Sequence, residues 1–248
     1  MPSTLVIQSH RKPLPFNWMT ACLRSVKDWA DDNAYDYRFI DDSLFDCLDA
    51  DLRQKLGAQK VIASDLARLI HLQRSLEEGY DCVLWCDADF LVFDPQNFIV
   101  PESEYALGRE VWVQGGGSGK LRAYRKVHNA FLMFRRGNSF LDFYVDSAQR
   151  LLQLNQGGIP AQFIGPKLLT AIHNIVVCPV LETAGMLSPL VMRDLLAGQG
   201  KALSLFLEKS SHPLAAANLS ASLCFAEGFS ESEMVRLIEA LQAGNLPG

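Results

Sequence analysis

Two carboxylates spaced i and i+2, Asp87 and Asp89, stand between two apolar runs in the stretch CVLWCDADFLVFDP, Cys82 to Pro95. Val83-Leu84-Trp85-Cys86 precedes them and Phe90-Leu91-Val92-Phe93 follows. A run this rich in β-branched and aromatic residues predicts a strand buried in the middle of a sheet. A desolvated unpaired charge is costly, so the pair calls for a partner. At a strand end or tight turn, the two can share one hard divalent cation. Oxygen ligands suit Mg²⁺ or Mn²⁺, with waters and a diphosphate completing the shell. The same residues also suit an Asx-type turn whose carboxylates cap free backbone amides. The apolar strand that resumes directly after Asp89 favours the metal–substrate account.

A second informative stretch lies just upstream, SDLARLIHLQRSLEEG, Ser64 to Gly79. Ile62, Leu66, Leu69, Gln73 and Leu76 mark one helical face, and Gly79 suits a helix end. Asp65 and Arg68 lie three apart and project from neighbouring positions of that helix. On a surface they would form an ion pair worth a few tenths of a kcal/mol. Because this helix feeds the strand bearing Asp87 and Asp89, Asp65 could instead bind sugar hydroxyls. Arg68 could then meet a phosphate with its planar fork.

The elements that must position these side chains begin with a short strand, Leu5-Val6-Ile7-Gln8, ending at Ser9-His10. Gln8, Ser9 and His10 are candidate ligand contacts, because α/β folds place ligands at such strand ends; a plain strand-to-loop transition fits them as well. Pro13 and Pro15 mark a loop, and Asn17 can cap a helix through Trp18, Cys22, Val26 and Trp29. Tyr37-Arg38-Phe39-Ile40 completes a β-α-β unit, which implies a parallel sheet. Further along, Glu110–Gln114 and Val127–Phe134 read as strands, with an amphipathic helix through Phe140 and Leu152. The loop Gly115-Gly116-Gly117-Ser118-Gly119-Lys120 lacks the Ser or Thr that a phosphate-binding loop needs after its Lys. A mobile loop beside the site, acting as a lid, fits it better. Val176–Val180 predicts another strand and Leu190–Leu196 a helix. Ser230-x-x-Glu233 is a capping box that opens a final helix.

The SDLAR helix followed by a D-x-D strand end resembles glycosyltransferases of the GT-A fold. It is most similar to the retaining group that includes family 32, family 8 and the glucosylating bacterial toxins. The resemblance implies that Asp65 and Arg68 hold the donor sugar and its phosphates. It also implies that Asp87 contacts ribose or metal and that Asp89 ligates Mn²⁺ or Mg²⁺. Asn129, in a strand that reads His-Asn-Ala, corresponds to a residue beside the donor sugar or acceptor. Ile164-Gly165-Pro166 resembles a Gly-Pro segment before a helix, where Gly165 permits close backbone approach and Pro166 would begin the helix. His212, in Lys209–Pro213, matches the place of a third metal ligand, and neutral imidazole suits Mn²⁺. Two features depart from the pattern. The link from Asp65 to Asp87 is 22 positions and lacks a Gly-Gly pair, and no Trp follows His212 to cover a diphosphate.

Composition removes other classes. With net charge −5 and no long Lys/Arg cluster, a nucleic-acid surface or an anionic-membrane anchor is not expected. The first residues lack a secretory-signal pattern, and no 18-residue apolar run predicts a membrane span. Cys22, Cys47, Cys82, Cys86, Cys178 and Cys224 show no C-x-x-C spacing, which points to reduced thiols and a cytoplasmic setting. The expectation is therefore an α/β chain with one GT-A type domain over residues 1–248, its mostly parallel central sheet flanked by helices. The activity expected is metal-dependent transfer of a hexose from a nucleotide-diphospho-sugar to a hydroxyl acceptor, with retention. The alternatives are a non-catalytic sugar-nucleotide or glycan-binding module and a nucleotidyltransferase. The latter would want a Gly-rich, Lys-bearing loop near the first strand, and this sequence has none there.

Overall fold

The computed structural model describes residues 3–57, 59–117 and 119–244. In chain order the first elements are β1 (Thr4–Ser9), α1 (Met19–Asp32), β2 (Asp36–Ile40), α2 (Ala50–Leu56), α3 (Lys60–Glu77), β3 (Cys82–Cys86) and β4 (Phe90–Val92). A long hairpin follows, β5 (Tyr105–Gly115) and β6 (Leu121–Arg135), then α4 (Ser139–Leu154) and α5 (Leu168–Val176). The C-terminal part comprises β7 (Val180–Leu181), β8 (Ala184–Met186), α6 (Pro189–Leu196), α7 (Lys201–Lys209), β9 (Ala216–Asn218), α8 (Ala221–Ala226) and α9 (Glu231–Gln242).

The main sheet has the order β2-β1-β3-β6-β5-β7. β1 is parallel to β2 and β3, and β7 is parallel to β5. Only β6 opposes its neighbours, so the sheet is mostly parallel. The position of β3 explains its composition: all five side chains are buried, because sheet neighbours and helices enclose it on every side. One apolar cluster lies where α3 and α4 cover the sheet, through Leu66, Leu69, Trp85 and Tyr144. Another holds Val26 and Trp29 of α1 against Leu84, Phe90 and Phe131. A third joins α6, α7 and α9 to Val111 and Val113 of the hairpin. All six cysteines are free and buried. No helix among the described residues is long and apolar enough to cross a membrane.

The apolar run after Asp89 does not return to the main sheet. As β4 it enters a second sheet of order β4-β9-β8, antiparallel to β9. Asp87-Ala88-Asp89 is therefore the crossing between two sheets. β6 makes a comparable break: Leu107 pairs with Leu132 but Gly108 pairs with His128. The intervening Asn129, Ala130 and Phe131 have no partner on β5. Such a bulge bends the ladder and re-aims side chains. Here it swings the outer half of the hairpin onto the C-terminal helices and frees Asn129 for the site.

Several local expectations are corrected. Asn17 does not cap α1 with its side chain; the amides of Asn17 and Trp18 donate instead to the Glu231 carboxylate from α9. Pro166 lies inside a π-turn, Phe163–Lys167, and does not begin the helix. α5 runs on through Val176, and only Val180–Leu181 pairs as strand. The β propensity of Ile175-Val176-Val177 is overridden by the helix preceding it. Ala216–Asn218, a strand, carries too short and weak a pattern to have been read as one. The Gly-rich loop is the turn of the hairpin, with Gly116 N donating to Lys120 O; its Ser118 lies outside the described residues. The capping box at Ser230 and Glu233 is present as expected.

Candidate functional site

A cavity of about 620 Å³ opens where β3 ends, lined by Asp65, Arg68, Asp87, Asp89 and Asn129 among others. Five candidates scattered over the sequence thus share one wall. The short turn carrying the carboxylates is pinned by the main chain. Asp87 N donates to Ala130 O, and Phe90 N closes the turn onto Asp87 O. Asp87 Oδ1 accepts from the indole of buried Trp85 at 2.7 Å and faces Arg68 Nη1 at 3.1 Å. Asp89 Oδ1 accepts from Asn218 Nδ2 at 2.6 Å, and Oδ2 from the amide of Ala221 at 2.8 Å. Burial, reinforced by the neighbouring Asp87 charge, lifts the Asp89 pKa to about 6.

Asp65 and Arg68 are not a surface pair. Their side chains are only 4% and 9% exposed, 3.4 Å apart. Arg68 also donates to Asn129 O at 2.6 Å and lies 5.2 Å over the Trp85 ring. Burial opposes its charge, but Asp87 and Asp65 outweigh that and raise its pKa. Burial also raises the Asp65 pKa, with Arg68 pulling it back down. Asn129 Nδ2 donates to Asp65 Oδ1 at 2.8 Å, while buried Asp65 Oδ2 has no protein partner among the described residues. Gly165 seals this corner: a Cβ there would come within 2.6 Å of Asp65 Oδ2 and 2.7 Å of Asn129 Nδ2.

Other candidates are not brought to the cavity wall. Gln8 is fully buried; it donates to Asp87 O and accepts from the Tyr37 hydroxyl, so it braces the turn from below. Ser9 and His10 lie at the end of β1 and do not line the cavity. His212 is exposed, in a loop held by Ser211 through hydrogen bonds with Glu182 and Arg125, and it is not joined to Asp87 and Asp89. No group of three His, Cys, Asp or Glu side chains able to hold a metal occurs among the described residues.

Sequence reasoning missed the side chains of β9 and the hairpin. Asn218, at the end of β9, lines the cavity with Ser220. The strand that carries it, Ala216–Asn218, is too short and too weakly patterned to have signalled this. Glu110, Trp112 and Gln114 line the same cavity with Lys126. Their period-two alternation with buried Val111 and Val113 was legible, but not the face it would present.

Asp87 and Asp89 are the residues here that could hold a divalent cation. Asp87 and Asp89 offer hard oxygen donors whose mutual repulsion a cation would relieve, and Mg²⁺-type sites commonly use one or two carboxylates plus phosphates and waters.

No protein-family model matches this chain, and no curated protein matches it significantly. Among solved structures it is similar to a glycosyltransferase involved in glycosylation of the major capsid of PBCV-1. The TM-score is 0.51 at 12% identity, covering 95% of this chain and 98% of that one. The galactosyltransferase LgtC, solved with donor and acceptor sugar analogues, aligns with a TM-score of 0.49 at 13% identity over 96% and 95% of the two chains. The fold is of the GT-A type, with its mostly parallel central sheet flanked by helices.

Proposed function

We propose that this chain is a metal-dependent glycosyltransferase that moves a hexose from a nucleotide-diphospho-sugar to a hydroxyl acceptor with retention. The observation that carries the proposal is the convergence of Asp65, Arg68, Asp87, Asp89 and Asn129 on one cavity at the end of a central strand. The fold shared with a known glycosyltransferase supports it.

In this reading Asp87 and Asp89 would hold Mn²⁺ or Mg²⁺, which would supply the charge neutralisation that a departing diphosphate needs. Asp65 and Asn129 bind the donor sugar. Asp65 is suited to this because one carboxylate oxygen has no protein partner, and a buried acceptor left unmade is costly. Arg68 is already shared by Asp65 and Asp87, so its work is to hold both carboxylates in place. Lys167, exposed on the cavity wall and in no ion pair among the described residues, can meet phosphate oxygens. Asn218 and the Ala221 amide fix the Asp89 carboxylate, a part the sequence had not suggested.

The test is a panel of UDP- and GDP-sugars with Mn²⁺ or Mg²⁺, followed by binding calorimetry and by release of free nucleoside diphosphate. One donor is expected to bind and to be slowly hydrolysed without an acceptor. Saturable binding with no release across a broad acceptor panel would leave a non-catalytic module. No binding at all would remove the proposal.

A further inference from the structure

The distal half of the β5–β6 hairpin forms a wall that nothing so far described uses. Beyond the bulge at Gly108, β5 alternates between two environments. Arg109, Val111 and Val113 are buried; Arg109 is bonded to Glu182, while the two valines join the C-terminal apolar cluster. Glu110, Trp112 and Gln114 point the other way and line the cavity. Across the ladder these three pair with Lys126, Tyr124 and Arg122 respectively. Directly opposed residues of antiparallel strands share a face, so six side chains form two rows with an aromatic pair at the centre. Tyr124 is 36% exposed, and Lys126 Nζ lies 5.5 Å from its ring.

Glu110 and Trp112 are among the side chains of this face that have no hydrogen-bond partner among the described residues. The Glu110 carboxylate makes no hydrogen bond or ion pair among the described residues, although it is partly buried. Burial raises its pKa, and nearby Lys126 only partly opposes that. The Trp112 indole N–H is likewise without a protein partner among the described residues. A partly exposed indole beside an unpaired carboxylate and an amide is the combination that recognises sugars. The ring packs on the apolar C–H face, and the carboxylate accepts from adjacent hydroxyls. The donor-binding groups proposed above lie on α3, on the turn after β3, at Asn129 and at Lys167, and none of them is Glu110, Trp112 or Gln114, which line the same cavity.

We propose that Glu110, Trp112 and Gln114 form the acceptor subsite and that the acceptor is a saccharide, stacked on Trp112 with a hydroxyl pair held by Glu110. This rests on the transfer activity proposed above, but the subsite can be tested without a donor.

Saturation-transfer NMR is run with methyl glycosides of glucose, galactose, mannose and N-acetylglucosamine, and with lactose and maltose. At least one is expected to bind. Trp112→Ala and Glu110→Gln should each weaken that binding at least tenfold, Trp112→Phe should retain most of it, and melting temperatures should be unchanged. No binding by any saccharide, or equal binding by all variants, overturns the subsite. Where a donor is turned over, acceptor KM should rise at least tenfold in Trp112→Ala while the Kd for free nucleoside diphosphate stays within twofold. Loss of diphosphate affinity in that variant would mean that the ring stacks the base, which also overturns the proposal. Trp112-dependent saccharide binding with no turnover of any nucleotide sugar would support the subsite and remove the transfer activity, so the two failures are distinguishable.

Discussion

Arg68 and Asp87 meet in the wall of the cavity, Nη1 to Oδ1 at 3.1 Å, although one comes from a helix and the other from a strand end. The same guanidinium lies 3.4 Å from Asp65. One buried cation thus serves two carboxylates, and its removal has consequences that a surface ion pair would not have.

Arg68→Ala leaves Asp65 without its charge partner inside the protein. Removing one member of a buried pair typically costs about 3–5 kcal/mol, against about 0–1 kcal/mol for an exposed pair. Urea unfolding at pH 7 should show the larger loss, with part of it recovered in Arg68→Lys. A change below about 1 kcal/mol would mean the network carries no weight.

Gly165→Ala tests the close approach at the corner of the site. The contacts that a Cβ would make there give a steric effect. The added methyl displaces Asp65 and Asn129 from their mutual hydrogen bond. Donor turnover should fall by at least about tenfold, as small misplacements in a site commonly do. Stability should fall as well, by the roughly 1–3 kcal/mol typical of overpacking a buried site, while Gly165→Ala remains folded. Unchanged kinetics would show that the geometry at Asp65 is immaterial.

Asp87→Asn and Asp89→Asn should each reduce nucleotide-sugar turnover by about 100-fold or more, because the charge that holds the cation is halved. EDTA should weaken donor binding in the native protein and have less effect in either variant. Equal donor affinity with and without EDTA, together with ordinary turnover in both variants, would return the pair to a purely structural role.

His128 predicts a pH dependence of stability. It is fully buried, with Nδ1 accepting from the Ala130 amide and Nε2 positioned on Ala184 O. Burial lowers its pKa from 6.5 to about 4. The unfolded chain therefore takes up this proton first, and stability falls as pH drops from about 6.5 towards 4, by up to roughly 3 kcal/mol. Urea midpoints between pH 7 and pH 4.5 should decline in the native protein and decline less in His128→Gln. Parallel declines in both would place the acid sensitivity elsewhere.

Much of the fold was legible because apolar patterning reports burial directly. The continuous apolar run of Cys82–Cys86 and the period of α3 each identified an element and its core face. The pairing of Asp65 and Arg68 was legible as spacing, but its meaning was not. Whether three-residue neighbours on a helix meet solvent or protein depends on what packs above them, here Asn129, Trp85 and Gly165. His212 shows the reverse. A plausible ligand by type and loop context lies exposed, while Asn218 reaches Asp89 from a strand too short to detect.

The sequence by itself determined the α/β character, the buried central strand and the two carboxylates at its end, since these follow from local pattern and from the cost of burying charge. Only the tertiary structure decided that the run after Asp89 enters a second sheet. The same holds for the three-residue break in β6 that turns Asn129 into the cavity, and for the face of the hairpin that carries Glu110 and Trp112. Those outcomes depend on which distant strands pair and in what register. Register is set by the summed packing of whole faces, and no single segment encodes it.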